Sequence, residues 1–481
     1  MFNRIEIGRR AQSGWAALSV RERNAALCRL RHLISAQIDT IVATISAEVG
    51  KPPLDALAGD VMTVLECMRY HERCAAKVLR RKKVCKPAFL FRGSSFWEKP
   101  EPYGVVLIVA PWNYPFQLAM VPAVTALLAG NAIILKCSEH APNTAKTIAA
   151  LFRDAGFADE LVQVTSDTPE IVSEYIAQQP DLIFFTGSSK SGHSVAALAA
   201  KFLIPAVLEL GGKDACLVFE SCDLRRAIEG VCYAAFSNAG QVCVGAKRVY
   251  VQRGVWEKFQ SGFVERAQQV RIGSDFDSDM GPVQYSFVRE RLAAQIDDAL
   301  CKGAVLHTNW DRTSHAVPPL ILTSVTDDAE LLVEESFGPV VCLAPFDSEE
   351  DAVQIANASS FGLSASIYTG DREQGRRVAS ALHVGSCTVN DSIRHVGNPF
   401  AVFGGNGQSG YGRYHGAAGL LAFSRMKTVM EVDKLKAHEV HWFPFQRSTY
   451  TGLRGLLLAR HGNGSLFARL RNILQINSRH Q

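Results

Sequence analysis

The sequence predicts a doubly wound α/β protein with a cofactor-binding half and a catalytic half. Three short apolar segments have the composition of strands buried on both faces of a parallel sheet: residues 103–110 (YGVVLIVA), 131–136 (NAIILK) and 181–185 (DLIFF). A helical segment at 116–128 separates the first two, and a helical segment rich in small residues follows the third. Strands that alternate with helices in this way are typical of a parallel sheet covered by helices.

The same pattern extends to both sides of this region. Residues 19–79 carry apolar positions at helical spacing among many charged residues, with a break at Pro52 and Pro53, which predicts two or more amphipathic helices. Further segments with the composition of buried strands are 215–219, 248–251 and 339–343. We place the boundary between the halves near residue 209, where no low-complexity linker occurs, and therefore expect the halves to pack tightly.

Composition excludes several classes of protein. The chain has 481 residues, 47% of them hydrophobic, which is enough for a large core. Its formal net charge of +4 is too small for a dedicated nucleic-acid binder. The 12 cysteines are dispersed without a Cys-x-x-Cys pair, so neither a metal site nor a disulfide framework is expected. The polar N-terminus and the lack of an apolar run of about 18 residues predict a cytoplasmic protein.

Cys243 and Glu209 are the first candidate catalytic residues. Cys243 ends a glycine-containing segment, 236–243 (FSNAGQVC), although a lone cysteine is more often a small buried side chain than a nucleophile. Glu209 stands 34 residues earlier between two leucines in LELGGK, where an apolar setting would raise its pKa and make it a base near neutral pH. A surface glutamate at the end of a strand is the alternative interpretation.

Two loops that follow predicted strands supply further candidates. Asn113 lies in the turn 110–115 (APWNYP), and because ligands bind outside the carboxyl ends of strands, its amide is placed to donate to an oxyanion. It is otherwise an ordinary turn residue. Glycines 187 and 192 in GSSKSG would bring backbone N–H groups near a pyrophosphate, although the full G-x-G-x-x-G pattern is missing.

Six motifs resemble those of the aldehyde dehydrogenase superfamily in their order, and the resemblance extends from about residue 15 to 430. They are PWNYP, KCSE (136–139), FTGS (185–188), LELGGK, FSNAGQVC and EESFGP (334–339). The short N-terminus and the segment 403–416 (FGGNGQSGYGRYHG) are more similar to its class 3 branch, whose members often take medium or long aliphatic and aromatic aldehydes. The resemblance implies NAD(P)-dependent oxidation of such an aldehyde to the acid.

The resemblance also implies a domain plan and an assembly. The implied domain plan consists of a Rossmann-like NAD-binding domain (1–79 and 101–208), an α/β catalytic domain (209–410) and a small β extension for oligomerisation (80–100 and 411–440). A homodimer follows from the class 3 likeness. The basic run at 80–83 is then an exposed turn and not a nucleic-acid patch.

Site roles follow from the same resemblance. Cys243 would be the nucleophile, Asn113 with the Cys243 N–H would hold the oxyanion, and Glu209 would activate the water that hydrolyses the thioester. The implied cofactor contacts are Trp112, Lys136, Glu139, Gly187, Ser188, Gly192, Leu210, Glu335 and Phe337. A carboxylate at 139 would repel a 2′-phosphate, so NAD is favoured, with NADP as the alternative.

Two residues depart from the family pattern. Cys137 replaces a common proline, which predicts a looser backbone that still leaves Lys136 and Glu139 in register. Asn406 replaces an apolar residue usual in class 3, and we expect it to lie outside the chemistry.

Two rival functions are a CoA-acylating dehydrogenase, against which Glu209 argues, and a non-catalytic structural or binding protein, against which the presence of all three catalytic candidates argues.

The C-terminal tail, 441–481, lacks acidic residues and carries apolar positions on one predicted helical face (Leu466, Phe467, Leu470, Ile473 and Leu474). It is either a helix packed on the protein or a disordered end, or else a segment that docks on a membrane surface.

Overall fold

The computed structural model describes residues 3–84, 91, 93–433, 437–439 and 441–463. The chain forms two compact units, residues 1–81 with 99–427 and residues 82–98 with 428–481. The described strands, in chain order, are β1 Lys82–Lys83, β2 Ser94–Pro102, β3 Val105–Val109, β4 Ala132–Lys136, β5 Val162–Thr165, β6 Leu182–Thr186, β7 Ala206–Glu209, β8 Ala215–Val218, β9 Arg248–Gln252, β10 Val305–Leu306, β11 Leu320–Thr323, β12 Val340–Phe346, β13 Phe361–Gly362, β14 Ser364–Tyr368, β15 Ser386–Val389, β16 Asn406–Gly407, β17 Gly410–Tyr411 and β18 Ser424–Val432.

Helices cover the sheets and fill the connections. The described α-helices are α1 Arg4–Ala17, α2 Val20–Ala36, α3 Ile38–Val49, α4 Pro53–Asp55, α5 Thr63–Val78, α6 Gln117–Ala129, α7 Pro142–Asp154, α8 Ile171–Ala177, α9 Ser189–Lys201, α10 Leu224–Phe236, α11 Trp256–Gln268, α12 Ser286–Cys301, α13 Glu330–Val333, α14 Glu349–Asn357, α15 Arg372–Ala381, α16 Gly416–Ala422 and α17 Arg447–His461. A π-helical turn, Ala56–Met62, joins α4 to α5.

The first sheet of the larger unit has six strands in the order β17-β7-β6-β3-β4-β5. All its pairings are parallel except that of β17 with β7. Every residue of β3 and β4 is buried, which explains why both read as continuous apolar runs in the sequence. The strands predicted at 103–110, 131–136 and 181–185 and the helix predicted at 116–128 are all confirmed, with slightly shifted ends.

The second sheet has seven strands in the order β10-β11-β12-β9-β8-β14-β15, parallel except for β10 against β11. It contains the strands predicted at 215–219, 248–251 and 339–343. Because the first sheet ends its parallel part at Glu209 and the second begins at Ala215, the two sheets support a division near residue 209. The domain limits themselves remain a prediction.

The N-terminal helices follow the predicted amphipathic pattern. A capping box between Ser19 and Glu22 begins α2, and Gly50, with φ of +75°, ends α3 in the left-handed region. The break predicted at Pro52 and Pro53 is confirmed, since Pro53 is the first residue of the next helix. Proline is tolerated there because the N–H it lacks has no partner within a first helical turn.

The smaller unit contains β1, most of β2 and most of β18, in the sheet order β1-β2-β18. Trp97 Nε1 donates to Glu431 Oε2 at 3.1 Å across this sheet. The same unit includes α17, in which no residue is buried. The apolar face predicted between residues 466 and 474 lies outside the described residues. Among those described, no helix is both long enough and apolar enough to cross a membrane.

Candidate active site

A cavity of about 530 Å³ opens where the strands of the first sheet end. Residues that follow β3, β4, β6 and β7 line it, which is the position expected of a ligand site in an open α/β sheet. The predicted site residues that line the cavity are Trp112, Asn113, Lys136, Glu139, Gly187, Ser188, Glu209, Leu210, Cys243, Glu335 and Phe337. The fold therefore brings together residues that are more than 200 positions apart in the sequence.

Gly192 is the predicted residue that does not line the cavity. A Cβ at this position would lie 2.4 Å from Leu210 Cδ2, so only glycine lets α9 pack this closely against a cavity-lining leucine. The lack of a side chain at Gly192 thus allows close packing behind the site, and its contact with a cofactor stays a prediction.

Cys243 follows a tight turn that α10 leads into. Asn238 and Ala239 adopt φ of 49° and 54° in this turn, a left-handed conformation that costs free energy for residues with a Cβ. The Cys243 side chain is half-buried. Burial raises the pKa of its thiol, the carboxylates of Glu335, Asp214 and Glu209 raise it further, and a hydrogen bond from the Val244 N–H opposes them. The resting sulfur is therefore a neutral thiol that needs a base before it can attack.

Asn113 is held from several directions. Its side-chain Nδ2 donates to the main-chain oxygen of Gln241 at 2.9 Å. The main-chain carbonyl oxygen of Asn113 accepts from Asn238 Nδ2 at 2.9 Å and from Lys51 Nζ at 2.7 Å. These bonds fix the amide relative to the turn that carries Cys243. One Nδ2 hydrogen remains for an oxyanion in the cavity.

Lys51 and Asp60 are supporting residues that the sequence did not reveal. Lys51 Nζ bonds Asp60 Oδ2 at 3.0 Å, and both side chains are at most 1% exposed. Asp60 Oδ1 also accepts from the N–H groups of Phe116 and Gln117 at the start of α6. This buried ion pair connects the π-helical turn to the Asn113 loop. Sequence reasoning missed it because its partners are joined only by the fold.

Glu209 occupies the last position of β7. It is 4% exposed, and neither carboxyl oxygen has a hydrogen-bond partner among the described residues. Burial raises the pKa of this carboxyl well above its ordinary value, and the positive charge of Arg413 opposes the rise. A carboxyl in this environment binds a proton more readily than it does in water, which suits a group that transfers protons.

The residue that departs from the class 3 pattern, Asn406, belongs to the surroundings of Glu209. Its Oδ1 accepts from Arg413 Nη2 at 2.8 Å. A Cβ on Gly404 would lie 2.8 Å from Arg413 Cδ and 3.1 Å from Glu209 Oε1, so the arginine and the glutamate border the same gap. The expectation that Asn406 lies outside the chemistry is therefore too simple, because it holds the cation that acts on Glu209.

Lys136 and Glu139 form an ion pair at the far end of the cavity, with Nζ and Oε2 2.7 Å apart. Partial burial is the largest single effect and raises the pKa of Glu139, but the hydrogen bond to Lys136, a main-chain hydrogen bond and the charges of Lys136 and His140 together lower it overall. The expectation that Cys137 loosens this backbone is wrong, since its N–H donates to Thr165 O at 2.7 Å and continues the pairing of β4 with β5. A proline could not make that bond.

The remaining cofactor candidates lie on two loops. Ser188 caps α9, its side chain accepting from the Ser191 N–H, and both serines line the cavity, so the N-terminus of this helix lies where an anion is favourable. Glu335 Oε1 accepts from the Gly212 N–H at 3.3 Å, although burial raises the pKa of Glu335. Phe337, with φ of 53°, places its ring 5.7 Å from that of Trp112 in an edge-to-face contact.

Tyr414 and Phe403 are lining residues that sequence reasoning missed as site residues. Their main chains exchange two hydrogen bonds, and their rings meet edge to face at 5.5 Å. Burial raises the pKa of Tyr414 well above its ordinary value, as do the nearby Glu209 and Cys243. The resemblance of the segment 403–416 to one branch of the superfamily could have indicated that these two residues belong to the site.

Comparison with known proteins decides the family. The sequence model described as the aldehyde dehydrogenase family matches residues 3–429. The chain belongs to the aldehyde dehydrogenase family. Like other members, it is an oxidoreductase that oxidises an aldehyde with NAD(P), and its α/β architecture is the aldehyde dehydrogenase fold.

Curated relatives of this aldehyde dehydrogenase span most of its length. A 4,4′-diapolycopene aldehyde oxidase from Methylomonas sp. is 37% identical over 461 residues, covering 96% of this chain and 87% of the relative. A putative succinate-semialdehyde dehydrogenase [NADP(+)] from Mycolicibacterium smegmatis is 34% identical over 428 residues, covering 88% and 82%.

Solved structures agree with the fold. An aldehyde dehydrogenase from Brucella melitensis biovar abortus 2308 superposes with a TM-score of 0.85 at 31% identity, over 90% of this chain and 89% of that one. The NAD+ complex of an aldehyde dehydrogenase from Bacillus cereus also superposes with a TM-score of 0.85, at 30% identity, over 90% of this chain and 88% of that one.

Proposed function

We propose that this aldehyde dehydrogenase oxidises a lipophilic aldehyde to its carboxylic acid by covalent catalysis at Cys243. The observation that carries the proposal is the meeting of Cys243, Asn113, Glu209 and Glu335 at one cavity. A sulfur nucleophile, an amide donor and a buried carboxyl are the groups that formation and hydrolysis of a thioester require.

The chemistry of these residues balances as follows. Glu209 in its ionised form takes the Cys243 thiol proton and gives it to solvent. The thiolate then forms a bond to the aldehyde carbon, and the carbonyl electron pair moves to oxygen, where Asn113 Nδ2 and the Cys243 N–H donate to it. When the C=O bond reforms, a hydride leaves the carbon and a thioester remains on the sulfur. Water then adds to the thioester carbon while Glu209 takes its proton, and the C–S bond breaks to release the acid and the thiolate.

The residues present fit a dinucleotide. Glycine at 211 lets the Glu335 carboxyl lie against the main chain after β7 at the cavity, because a Cβ there would lie 2.4 Å from the Glu335 Oε2 atom. When bound, the dinucleotide supplies the acceptor for the hydride. Lys136 and Glu139 would hold the adenine ribose, Gly187 and Ser188 the pyrophosphate, and Glu335 with Phe337 the nicotinamide side. Leu210 and Trp112 would border it. The ionised Glu139 favours NAD over NADP, because it would repel a 2′-phosphate.

Hydrolysis is preferred to transfer onto CoA because of Glu209. In the part of the chain that the structure describes, neither Glu209 oxygen has a hydrogen-bond partner, so both are available to a water molecule, and the raised pKa suits a base that loses and regains a proton in each turnover. A thiol acceptor would not need this carboxyl.

Apolar lining near the sulfur supports a lipophilic substrate, such as a medium- or long-chain aliphatic or an aromatic aldehyde. Leu118, Leu363 and Phe403 line the cavity, and Lys136, one of the two cations that line it, is paired with Glu139. The 4,4′-diapolycopene aldehyde oxidase relative favours the same class over succinate semialdehyde.

The test is a steady-state screen of aldehydes of graded chain length, with succinate semialdehyde included, using NAD and NADP. We expect kcat/KM to rise with chain length and to be higher with NAD. Cys243→Ala should abolish oxidation, while binding of the dinucleotide is retained. Wild-type turnover by Cys243→Ala would refute the covalent role, and a preference for succinate semialdehyde would refute the substrate class.

We also propose the class 3-like branch and a homodimer. The segment 403–416 supports the branch, and the sheet of the smaller unit supports the dimer, because after its first residue β18 exposes its whole length. An exposed edge of this kind is available for pairing with a second chain. Light scattering should give twice the subunit mass, and a single-subunit mass would contradict the proposal.

Peripheral binding to a membrane surface is a second proposal. The helix α17 carries Arg447, Arg454 and Arg460, and the residues before it expose Trp442 and Phe443 by 50% and 79%. No acidic residue follows Glu439. Aromatic side chains beside a basic amphipathic helix are typical of proteins that bind anionic lipid surfaces.

Co-sedimentation with phosphatidylglycerol vesicles tests this proposal. The full chain should pellet with the vesicles, and a chain that ends at residue 436 should stay in solution with its aldehyde oxidation intact. Equal pelleting of the two chains would overturn the proposal.

A further inference from the structure

Lys247 is a buried cation that the proposed chemistry does not use. Its side chain is 3% exposed, and its hydrogen bonds to described residues all end on main-chain carbonyls. Nζ donates to Gly338 O at 2.7 Å, to Gly240 O at 2.8 Å and to Ala235 O at 3.5 Å. Burial of a charge without a bonded carboxylate costs free energy, so the bonds it makes need a structural or functional purpose.

The two shortest bonds reach the two loops on which the chemistry depends. Gly240 ends the turn before Cys243, and Gly338 directly follows Phe337. These main chains touch: a Cβ on Gly240, which has φ of +67°, would lie 2.1 Å from Gly338 O and 2.8 Å from Lys247 Nζ. The ammonium therefore sits where the nucleophile turn and the cofactor loop meet.

We propose that Lys247 is a positioning residue that ties the turn before Cys243 to the loop of Glu335 and Phe337, and so fixes the distance between the sulfur and the nicotinamide subsite. The inference rests on the proposed roles of those residues. Lys247 does not line the cavity, so it acts through the two loops and not on substrate or cofactor.

The charge state of Lys247 agrees with this role. Burial lowers its pKa to about 7, and the neighbouring Lys213 lowers it too, while Glu335, Asp214 and Cys342 raise it. An ammonium has three N–H donors for the three carbonyls, whereas the neutral amine has two. Loss of the proton above neutral pH would therefore leave one carbonyl without its donor.

Lys247→Met tests the proposal, because it keeps the length of the side chain and removes every donor. The matched control is Lys302→Met, at a lysine that bonds Asp298 on the protein surface. We expect kcat of Lys247→Met to fall on the order of 10²-fold, since a misplacement of about 1 Å between reacting groups has effects of this size. The KM for NAD should rise several-fold, and the control should match the wild type in both.

Hydrogen–deuterium exchange provides a readout that needs no substrate. In Lys247→Met, peptides spanning 236–243 and 335–340 should both gain exchange, whereas peptides from β3 and β4 should not. Because this readout does not depend on turnover, it stands even if aldehyde oxidation through Cys243 were refuted.

Lys247→Gln serves if the methionine variant does not fold, since it keeps a donor in a shorter, neutral side chain. A folded variant with wild-type kcat and KM for NAD would overturn the proposal, and so would exchange that rises in one of the two peptides only. Loss of thermal stability with unchanged kinetics would show that Lys247 supports the fold alone.

Discussion

The two ends of the cavity differ in the direction in which the protein shifts the pKa values of their side chains. At the sulfur end, burial raises the pKa values of Cys243 and Glu209, which favours the neutral form of each group. At the far end, Glu139 is held ionised by its bond to Lys136. One region thus contains groups whose protons can move, and the other contains a fixed charge pair. The difference predicts that substitutions at the sulfur end change rates, whereas those at the far end change cofactor choice.

After loss of the nucleophile itself, the largest effect is expected from Asn113→Ala. Removal of one oxyanion donor in other enzymes lowers kcat by about 10² to 10³-fold, equal to about 2.7–4 kcal/mol. Here the loss of Nδ2 also removes the bond to Gln241 O, which positions the nucleophile turn. Steady-state kinetics should show the fall in kcat with little change in the KM for NAD. A fall of less than fivefold would contradict an oxyanion role for this amide.

Glu209→Gln should affect both rate and stability, and its effect on stability depends on pH. Because the folded protein raises the pKa of Glu209, the unfolded chain loses this proton first as pH rises. The protonated Glu209 therefore makes its full contribution to stability below the pKa that it has in the unfolded chain. This contribution decreases as the pH rises toward the pKa that it has in the folded protein. Each tenfold difference in acid constant corresponds to about 1.4 kcal/mol.

Urea unfolding at two pH values measures this effect. Glu209→Gln should raise the midpoint relative to wild type at pH 8 and leave it nearly unchanged at pH 4, while kcat falls at both. Glu265→Gln, at an exposed position of α11, is the control and should change neither. A midpoint gain of equal size at both pH values would mean that ionisation of Glu209 is not its cause.

The sequence predicted the strands and the cavity-lining motifs because both are local signals. A fully buried strand such as β3 shows as an apolar run, and the turn residues after it show as a motif. Lys51 and Lys247 were not predictable in this way. Their partners are main-chain carbonyls and a carboxylate contributed by other segments, as with Lys51 Nζ and Asn113 O. The left-handed Ala239 was hidden for a similar reason, since the surrounding packing and not its residue type imposes the conformation.

The smallest effect is expected at the far end, from Glu139→Gln. The substitution removes a negative charge and releases Lys136, so a 2′-phosphate would meet an ammonium instead of a carboxylate. Glu139 is 29% exposed, and a pair of charges near 4 Å in water is worth about 1 kcal/mol, which corresponds to roughly a fivefold change. The KM for NADP relative to NAD should fall by that factor while kcat stays within twofold. Glu174→Gln on α8, outside the cavity lining, should leave the ratio unchanged. A large loss of kcat in Glu139→Gln would remove the distinction between the two ends, because it would place the fixed charge pair among the groups that set the rate.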